Sequence, residues 1–304
     1  MKRLSAGLLV SLLAMTSFAQ NDRLDNTLLW KISGNGLDKP SYLFGTVHMI
    51  CKDDAFLSQN LVDAIGKADR VYLELDMDNI MEMLGALNNM KMLNDTTLAD
   101  LLTKEEYALT KKYFQEHVSI LPFSVLETYK PMVASSLLME STMLCEDQVA
   151  MEQLIMDEAK KNKKRIEGLE TVAFQMSIFD SIPYKIQAEE LLKSISTSDK
   201  GDEGEKEFRE LMKAYKEQDL SKLGGLVSKT DEGMMQYEDL LLGNRNRNWV
   251  AKLKTLLQEK ALVIAVGAGH LPGEKGLINL LRKEGYKVTP VDNKNPAKGK
   301  TTEI

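Results

Sequence analysis

The chain has 304 residues and a formal charge of −6, with 45 acidic against 39 basic side chains and no run of basic residues. That balance argues against nucleic acid or an anionic membrane surface as partners. The length suits a single α/β unit carrying an insertion.

Residues 1–3 are Met1-Lys2-Arg3, an apolar run follows over 6–15, and Ser17-Phe18-Ala19 comes next. A basic start, a short apolar stretch and small residues form the pattern of a secretory signal. The apolar run is short for a bilayer span, so cleavage before Gln20 is expected, with a retained anchor as the alternative. Cleavage leaves 285 of the 304 residues, and loss of Lys2 and Arg3 takes the charge from −6 to −8. No later window is apolar enough to insert in a membrane, so the mature chain, residues 20–304, is expected in the periplasm or secreted as one α/β domain.

Residues 28–33 (LLWKIS) precede Gly34-Asn35-Gly36, a strong turn signal. They predict a strand that pairs with residues 41–50 (SYLFGTVHMI) as an edge hairpin. The second of these strands ends in Gly45-Thr46-Val47-His48. Cys51 follows, and Cys145 is its only possible partner in the chain. In an exported protein an even pair favours one disulfide, with two free thiols as the alternative. Residues 61–67 have helical spacing and lead into a strand over 71–76 (VYLELD) that carries Glu74 and Asp76 on one face.

Residues 77–164 are almost wholly helical in character, with Leu, Met and Ala at three- and four-residue steps. The methionines of 80–92 read as adaptable core, and His117 as a helix-end residue. Residues 163–170 (KKRIEGLE) predict one more strand ending at Glu170, after which Thr171 caps a helix over 172–180. The polar run 194–205 reads as a loop. Helices over 206–217, 219–229 and 234–257 complete a largely helical insertion spanning 77–260. The last of them holds Arg245 and Arg247, with Trp249 and Leu253 on a core-facing stripe. Spacing leaves two readings of Arg245: a solvated basic face, or a guanidinium delivered to a site.

Residues 261–270 (ALVIAVGAGH) repeat the first motif, ending in Gly267-Ala268-Gly269-His270. The echo continues, because residues 61–76 and 277–292 align without gaps as helix, turn and strand. Two units of strand, Gly-x-x-His loop, helix and strand are therefore expected as neighbours in a mostly parallel α/β sheet. The alignment sets Pro290 opposite Glu74, so any site built from the two units is asymmetric. Residues 293–304 are polar and predict a disordered tail.

His48, Glu74, Glu170 and His270 all fall at the C-terminal ends of inferred strands. In a parallel sheet those ends share one edge, where α/β proteins place their sites. Two imidazoles and one or two carboxylates converging there suit a divalent metal such as zinc, manganese or cobalt. The glycine three residues before each histidine is expected to let the backbone turn sharply off its strand. There is no Gly-rich phosphate loop, no G-x-S-x-G, no H-E-x-x-H and no EF-hand loop.

The blocks YLFGTVHMI, VYLELD, RIEGLETVAFQ, LLGNRNRNW and VIAVGAGHLPGEKGLINLLRKEGYKV together resemble the TraB/GumN family. That family is related to the Tiki proteins and, more distantly, to erythromycin esterase and haem-binding ChaN-like proteins. The resemblance covers residues 28–291 and implies a sheet-and-helix core with paired Gly-x-x-His motifs and a glutamate. Tiki relatives are described as metal-dependent proteases. Residue by residue, the likeness points to His48, Glu74 and His270 as metal ligands, with Glu170 and Arg245 as supporting catalytic positions. The family's Gly-x-Asp element is replaced here by Ala150-Met151-Glu152, which leaves the role of that acid open.

Three functions remain in play. The first is an exported metal-dependent hydrolase, most naturally a peptidase acting on peptides or exposed protein segments. The second is a binding protein that holds a peptide, haem or small ligand without turnover. The third is metal-independent ester hydrolysis by the histidines and glutamate.

Overall fold

The computed structural model describes residues 24–295 except 119, 142, 144, 146, 200–202 and 231–232. The expected signal at residues 1–19 and the part of the expected tail from 296 onward lie outside the described residues; the start of that tail is not disordered, since Asn293 is buried with its amide donating to Gln218 Oε1 at 2.9 Å. Eight strands occur among those described, in chain order β1 (Leu29–Ser33), β2 (Ser41–Thr46), β3 (Ile50–Cys51), β4 (Arg70–Leu73), β5 (Gln148–Val149), β6 (Arg165–Gly168), β7 (Leu262–Gly267) and β8 (Lys287–Val291).

Six strands form the main sheet in the order β6-β4-β7-β2-β1-β8. The pairs β2/β7, β7/β4 and β4/β6 are parallel, and β1 alone runs against both of its neighbours. This is the mostly parallel α/β sheet that the strand-and-helix alternation predicts. Gly45 lies beside Val266 and Thr46 beside Gly267, so the two Gly-x-x-His loops leave adjacent strands in the same direction.

The apolar runs that announce β2 and β7 are buried: Leu43, Leu262, Val263, Ile264 and Val266 are all fully covered. Near-continuous apolar runs are what a sheet covered on both faces demands. Helices Gln59–Lys67, Met151–Lys161, Asn244–Glu259 and Leu277–Lys283 supply much of the cover, through Leu61, Ile65, Ile155, Trp249, Leu253 and Ile278. A second apolar cluster gathers Leu98, Phe114, Phe123, Leu138, Leu191 and Ile195 within the helical middle of the chain. No helix among the described residues is long and apolar enough to cross a membrane.

Three local expectations change. The hairpin of β1 and β2 is internal, because β8 adds beyond β1 with Trp30 opposite Pro290. Proline has no N–H to give, so it suits the outermost strand. The helical middle is interrupted by β5, a two-residue strand too short to impose a period on the sequence, which pairs antiparallel with β3. The polar run at 194–205 is helical on both sides of residues 200–202: helix Glu203–Lys216 begins within it and helix Tyr184–Asp199 ends within it. Buried Ala188, Leu191 and Ile195, at three- and four-residue steps, commit one face of that helix to the core.

Beside β3 and β5, Cys51 and Cys145 are joined by a disulfide with Cα atoms 5.8 Å apart, and no free cysteine occurs among the described residues. The disulfide reading therefore stands over that of two free thiols.

Candidate active site

β4 ends at Leu73, one residue before Glu74, and β6 ends at Gly168, two before Glu170. Parallel pairing continues past both ends: Leu169 N–H donates to the Leu73 carbonyl at 2.8 Å, and Glu170 N–H to the Glu74 carbonyl at 3.0 Å. These bonds set two carboxylates side by side in a poorly hydrated place, where they would repel one another. Arg245 sits between them. Its Nη2 donates to Glu74 Oε2 at 2.5 Å and to Glu170 Oε1 at 2.6 Å, and its Nε donates to the two Glu170 oxygens at 3.0 and 3.2 Å.

The helix Asn244–Glu259 presents Arg245 inward because Trp249 and Leu253, four and eight residues on, are buried on the same stripe. Arg247 lies off that stripe, half-exposed beside Asp239. A π-helical turn over Asp239–Gly243 immediately precedes the helix, and Arg245 Nη1 donates to the Leu241 carbonyl within it at 3.0 Å. Such turns recur where a helix must aim a side chain at a site. Trp249 adds to the cluster, with its indole N–H donating to Glu170 Oε2 at 3.0 Å and its ring 4.8 Å from the guanidinium carbon. The reading of Arg245 as a solvated surface cation is thereby set aside.

β7 ends at Gly267, and the single turn Ala268–His270 carries the second motif histidine into the cluster, 4 % exposed. Asn246 fixes its ring. The Asn246 amide donates to the His270 carbonyl at 3.2 Å and the Lys275 carbonyl at 2.9 Å, so its Oδ1 faces His270 Nδ1 at 2.6 Å and accepts from it. Nε2 is then the lone-pair nitrogen, and it accepts from Arg245 Nη1 at 3.1 Å, with Glu74 Oε1 3.8 Å away. Burial pushes the His270 pKa down to about 4, so its ring is neutral at pH 7.

Burial alone would raise the Glu74 carboxyl, but in the acidic range where it titrates the His270 ring is protonated, and that charge, the Arg245 guanidinium and the Gly267 N–H, 2.8 Å from Oε1, hold it at about 2. Glu170 is displaced upward. Burial dominates there, against the pull of Arg245 and with repulsion from Glu74 added. Two neighbouring carboxyls are thus driven apart in acidity, a pattern that clusters at functional sites.

His48 leaves β2 on the neighbouring strand, and its ring is exposed, 72 % by side chain. Its Nδ1 lies 3.1 Å from Glu152 Oε1, which also accepts from the Thr46 hydroxyl at 2.7 Å. The hydrogen bond to Glu152 raises the pKa of His48, and the charges of Glu74 and Arg245 also reach it. His48 therefore belongs to the same edge as Glu74, Glu170, Arg245 and His270, but it contacts none of them in the bonds described above.

The motif glycines have a reason other than the expected sharp turn. Neither is among the positive-φ residues. A side-chain carbon on Gly45 would sit 3.2 Å from Ala268 and Leu271, and one on Gly267 would sit 3.2 Å from Glu74 Oε1. They are small because the two motif loops and the carboxylate pack directly on them.

Two residues that complete the arrangement are absent from the sequence-derived set. The only signal for Glu152 was the likeness of Ala150-Met151-Glu152 to the Gly-x-Asp element of the family it resembles. Asn246 sits next to Arg245 with nothing in its spacing to mark it.

The expected metal can be tested against these donors. His48 and His270 each turn Nδ1 to an oxygen, which leaves Nε2 as the ligating nitrogen, and Glu74 offers Oε1. That donor chemistry fits a divalent cation with oriented imidazoles. Among the described residues, however, no three His, Cys, Asp or Glu side chains close into a metal cluster. Arg245 Nη1 also lies on the Nε2 atom of His270 that a metal would use.

The fold and this edge define a class: an α/β protein whose adjacent parallel strands deliver paired Gly-x-x-His loops beside a glutamate–arginine cluster. The chain belongs to the TraB/PrgY/gumN family, whose sequence model matches residues 28–290. It is 24 % identical over 313 residues to Metalloprotease TIKI1 of Danio rerio, covering 86 % of this chain and 63 % of that protein. Metalloprotease TIKI2 of Xenopus tropicalis is 24 % identical over 86 % of this chain and 59 % of its own length. Metalloprotease TIKI1 of Homo sapiens is 23 % identical over 86 % and 61 %. The chain thus spans about three fifths of the length of these relatives.

Proposed function

We propose that the chain is an exported hydrolase that cleaves peptides or exposed protein segments, with His48, Glu74 and His270 holding a divalent metal ion. The observation that carries this reading is the placement along one sheet edge of two oriented imidazoles and an ionised carboxylate. The names of its relatives as metalloproteases support the same class. A zinc, manganese or cobalt ion bound there would act as a Lewis acid on the scissile carbonyl.

The chain's own groups supply the rest. Glu170, whose carboxyl burial pushes upward, is suited to take or return a proton. The Arg245 guanidinium has five donors; on leaving His270 Nε2 it can turn one to a substrate carbonyl and stabilise developing negative charge. Asn246 keeps the His270 Nε2 lone pair facing the cluster. Trp249 screens Glu170 and His270 from water.

A second reading rests on the contact between Arg245 and His270 Nε2, which competes with a metal for the same lone pair. It is metal-independent hydrolysis, with exposed His48 as the base and Glu74 and Glu170 as charge partners. Incubating the full chain with a peptide library and a panel of model esters, with and without a chelator, tests both. Cleavage abolished by chelator and restored by added zinc, manganese or cobalt supports the metal reading. Cleavage that persists in chelator supports the second, and no cleavage of any peptide or ester overturns both.

A further inference from the structure

Glu152 is placed unlike an ordinary first-turn glutamate. It belongs to the first turn of helix Met151–Lys161, where the positive end of the helix dipole favours a carboxylate. Yet its side chain, only 10 % exposed, is directed across to the end of β2, and both of its hydrogen-bond donors, Thr46 and His48, come from that strand and its loop. Tyr215 lies beneath. Its hydroxyl donates to the Gly45 carbonyl at 3.2 Å and is itself buried, within electrostatic reach of Glu152.

The chain around this pair is fastened on both sides. β3 starts two residues after His48, and β5 ends three residues before Glu152. Ile50 pairs with Val149 and Cys51 with Gln148. Continuing that antiparallel register by two residues brings His48 level with Met151. The Cys51–Cys145 disulfide closes the other end of the ribbon. An exposed ring on an irregular loop would otherwise be free to turn, and ordering it costs entropy.

We propose that Glu152 is the positioning residue of His48, selecting the tautomer with the proton on Nδ1, and that the disulfide-closed ribbon of β3 and β5 holds the two together. The inference deepens the hydrolase reading and rests on it for its catalytic consequence. The orientation itself is independent of turnover. His270 has the same arrangement with a neutral partner, Asn246, so the two motif histidines would present Nε2 to the site by two different supports. The thiols need not react for this role, since the bridge acts as a fixed tether.

The test is nitrogen-15 NMR of the full chain labelled at histidine, recorded at alkaline pH where the imidazoles are neutral. Only three histidines contribute. The wild type should show His48 protonated at Nδ1. Glu152→Gln keeps an acceptor oxygen and should preserve that state. Glu152→Met keeps the length without an acceptor and should convert His48 to a mixture of tautomers, leaving His270 unchanged. Cys51→Ser with Cys145→Ser should move His48 in the same direction. On a peptide that the wild type cleaves, Glu152→Met should lower kcat about 10–100-fold with little change in KM, and Glu152→Gln should recover most of it.

A wild-type His48 protonated at Nε2 overturns the proposal without any variant. So does a Glu152→Met protein whose His48 signal matches the wild type. An unchanged His48 in the double serine variant overturns the role of the ribbon. A wild type that cleaves nothing but shows the Nδ1-protonated His48 defeats the hydrolase reading and leaves the positioning role standing.

Discussion

Replacing Arg245 by methionine removes the one cation that separates Glu74 from Glu170 and keeps most of the side-chain volume. The cost has two estimates from the structure. Glu74 is held at about 2 against an ordinary 4.5, and at 1.36 kcal/mol per pKa unit that is about 3 kcal/mol of stabilisation of the ionised form, shared among His270, Arg245 and the Gly267 N–H, so it bounds the Arg245 share from above. Truncating one partner of a buried ion pair costs about 3–5 kcal/mol, because the other charge is left without compensation. The side chains of Arg245, Glu74 and Glu170 are 9 %, 12 % and 4 % exposed, so solvent screening is slight. Arg245→Met should therefore lose about 3–5 kcal/mol at pH 7 and melt on the order of 10 °C lower. The assay is urea unfolding followed by circular dichroism. Adding Glu74→Gln and Glu170→Gln to the variant should recover at least half of the loss, since no uncompensated charge remains. A loss under about 1 kcal/mol, or a triple variant as unstable as the single one, would refute the reasoning.

Other outcomes can be checked alongside. His270 has its folded pKa depressed to about 4, so the unfolded chain binds a proton that the folded one refuses. The His270 contribution should be full above about pH 6.5 and fall by about 3 kcal/mol as pH drops to 4, offset in part at the acidic end by Glu170, whose raised carboxyl favours the folded state as it takes up its proton. Glu74 then adds a further loss between about 4.5 and 2, and a flat profile from pH 6.5 to 4 in urea titrations would contradict the burial of His270. Thiol labelling of unreduced, denatured protein should find no free cysteine, and the Cys51→Ser/Cys145→Ser variant should lose about 2–4 kcal/mol. Gly45→Ala drives a methyl against Ala268 and Leu271; it should cost about 1–3 kcal/mol in the same unfolding assay, and wild-type stability would show that the motif loops are not packed this tightly.

The parts of this site that lie within one strand and its loop were legible in the sequence. The runs before His48 and His270 are apolar without alternation, as strands covered on both faces are, and their matched endings mark them as equivalent strands of two repeated units, which the pairing of β2 with β7 sets side by side. Arg245 was ambiguous because helical spacing fixes which residues share a stripe but not which stripe faces a site. Trp249 and Leu253 decide it only once their burial is seen. Glu152 was hidden for another reason: its partner His48 is 104 residues away, brought close by a two-residue strand that leaves no periodic trace. The disulfide beside it was easy to read, since two cysteines in a chain allow one pairing. The outer position of β8 had a signal too, in Pro290, which a central strand would not tolerate.

The central claim is that the His48 and His270 loops serve one site. Metal content by mass spectrometry, on protein purified without chelator, tests it most directly when wild type is compared with His48→Ala and His270→Ala. Each variant removes one ligand from a small set and leaves the apolar strands in place, so both should lose the bound divalent ion while their circular dichroism is unchanged. Wild-type metal content in either folded variant would contradict the shared site.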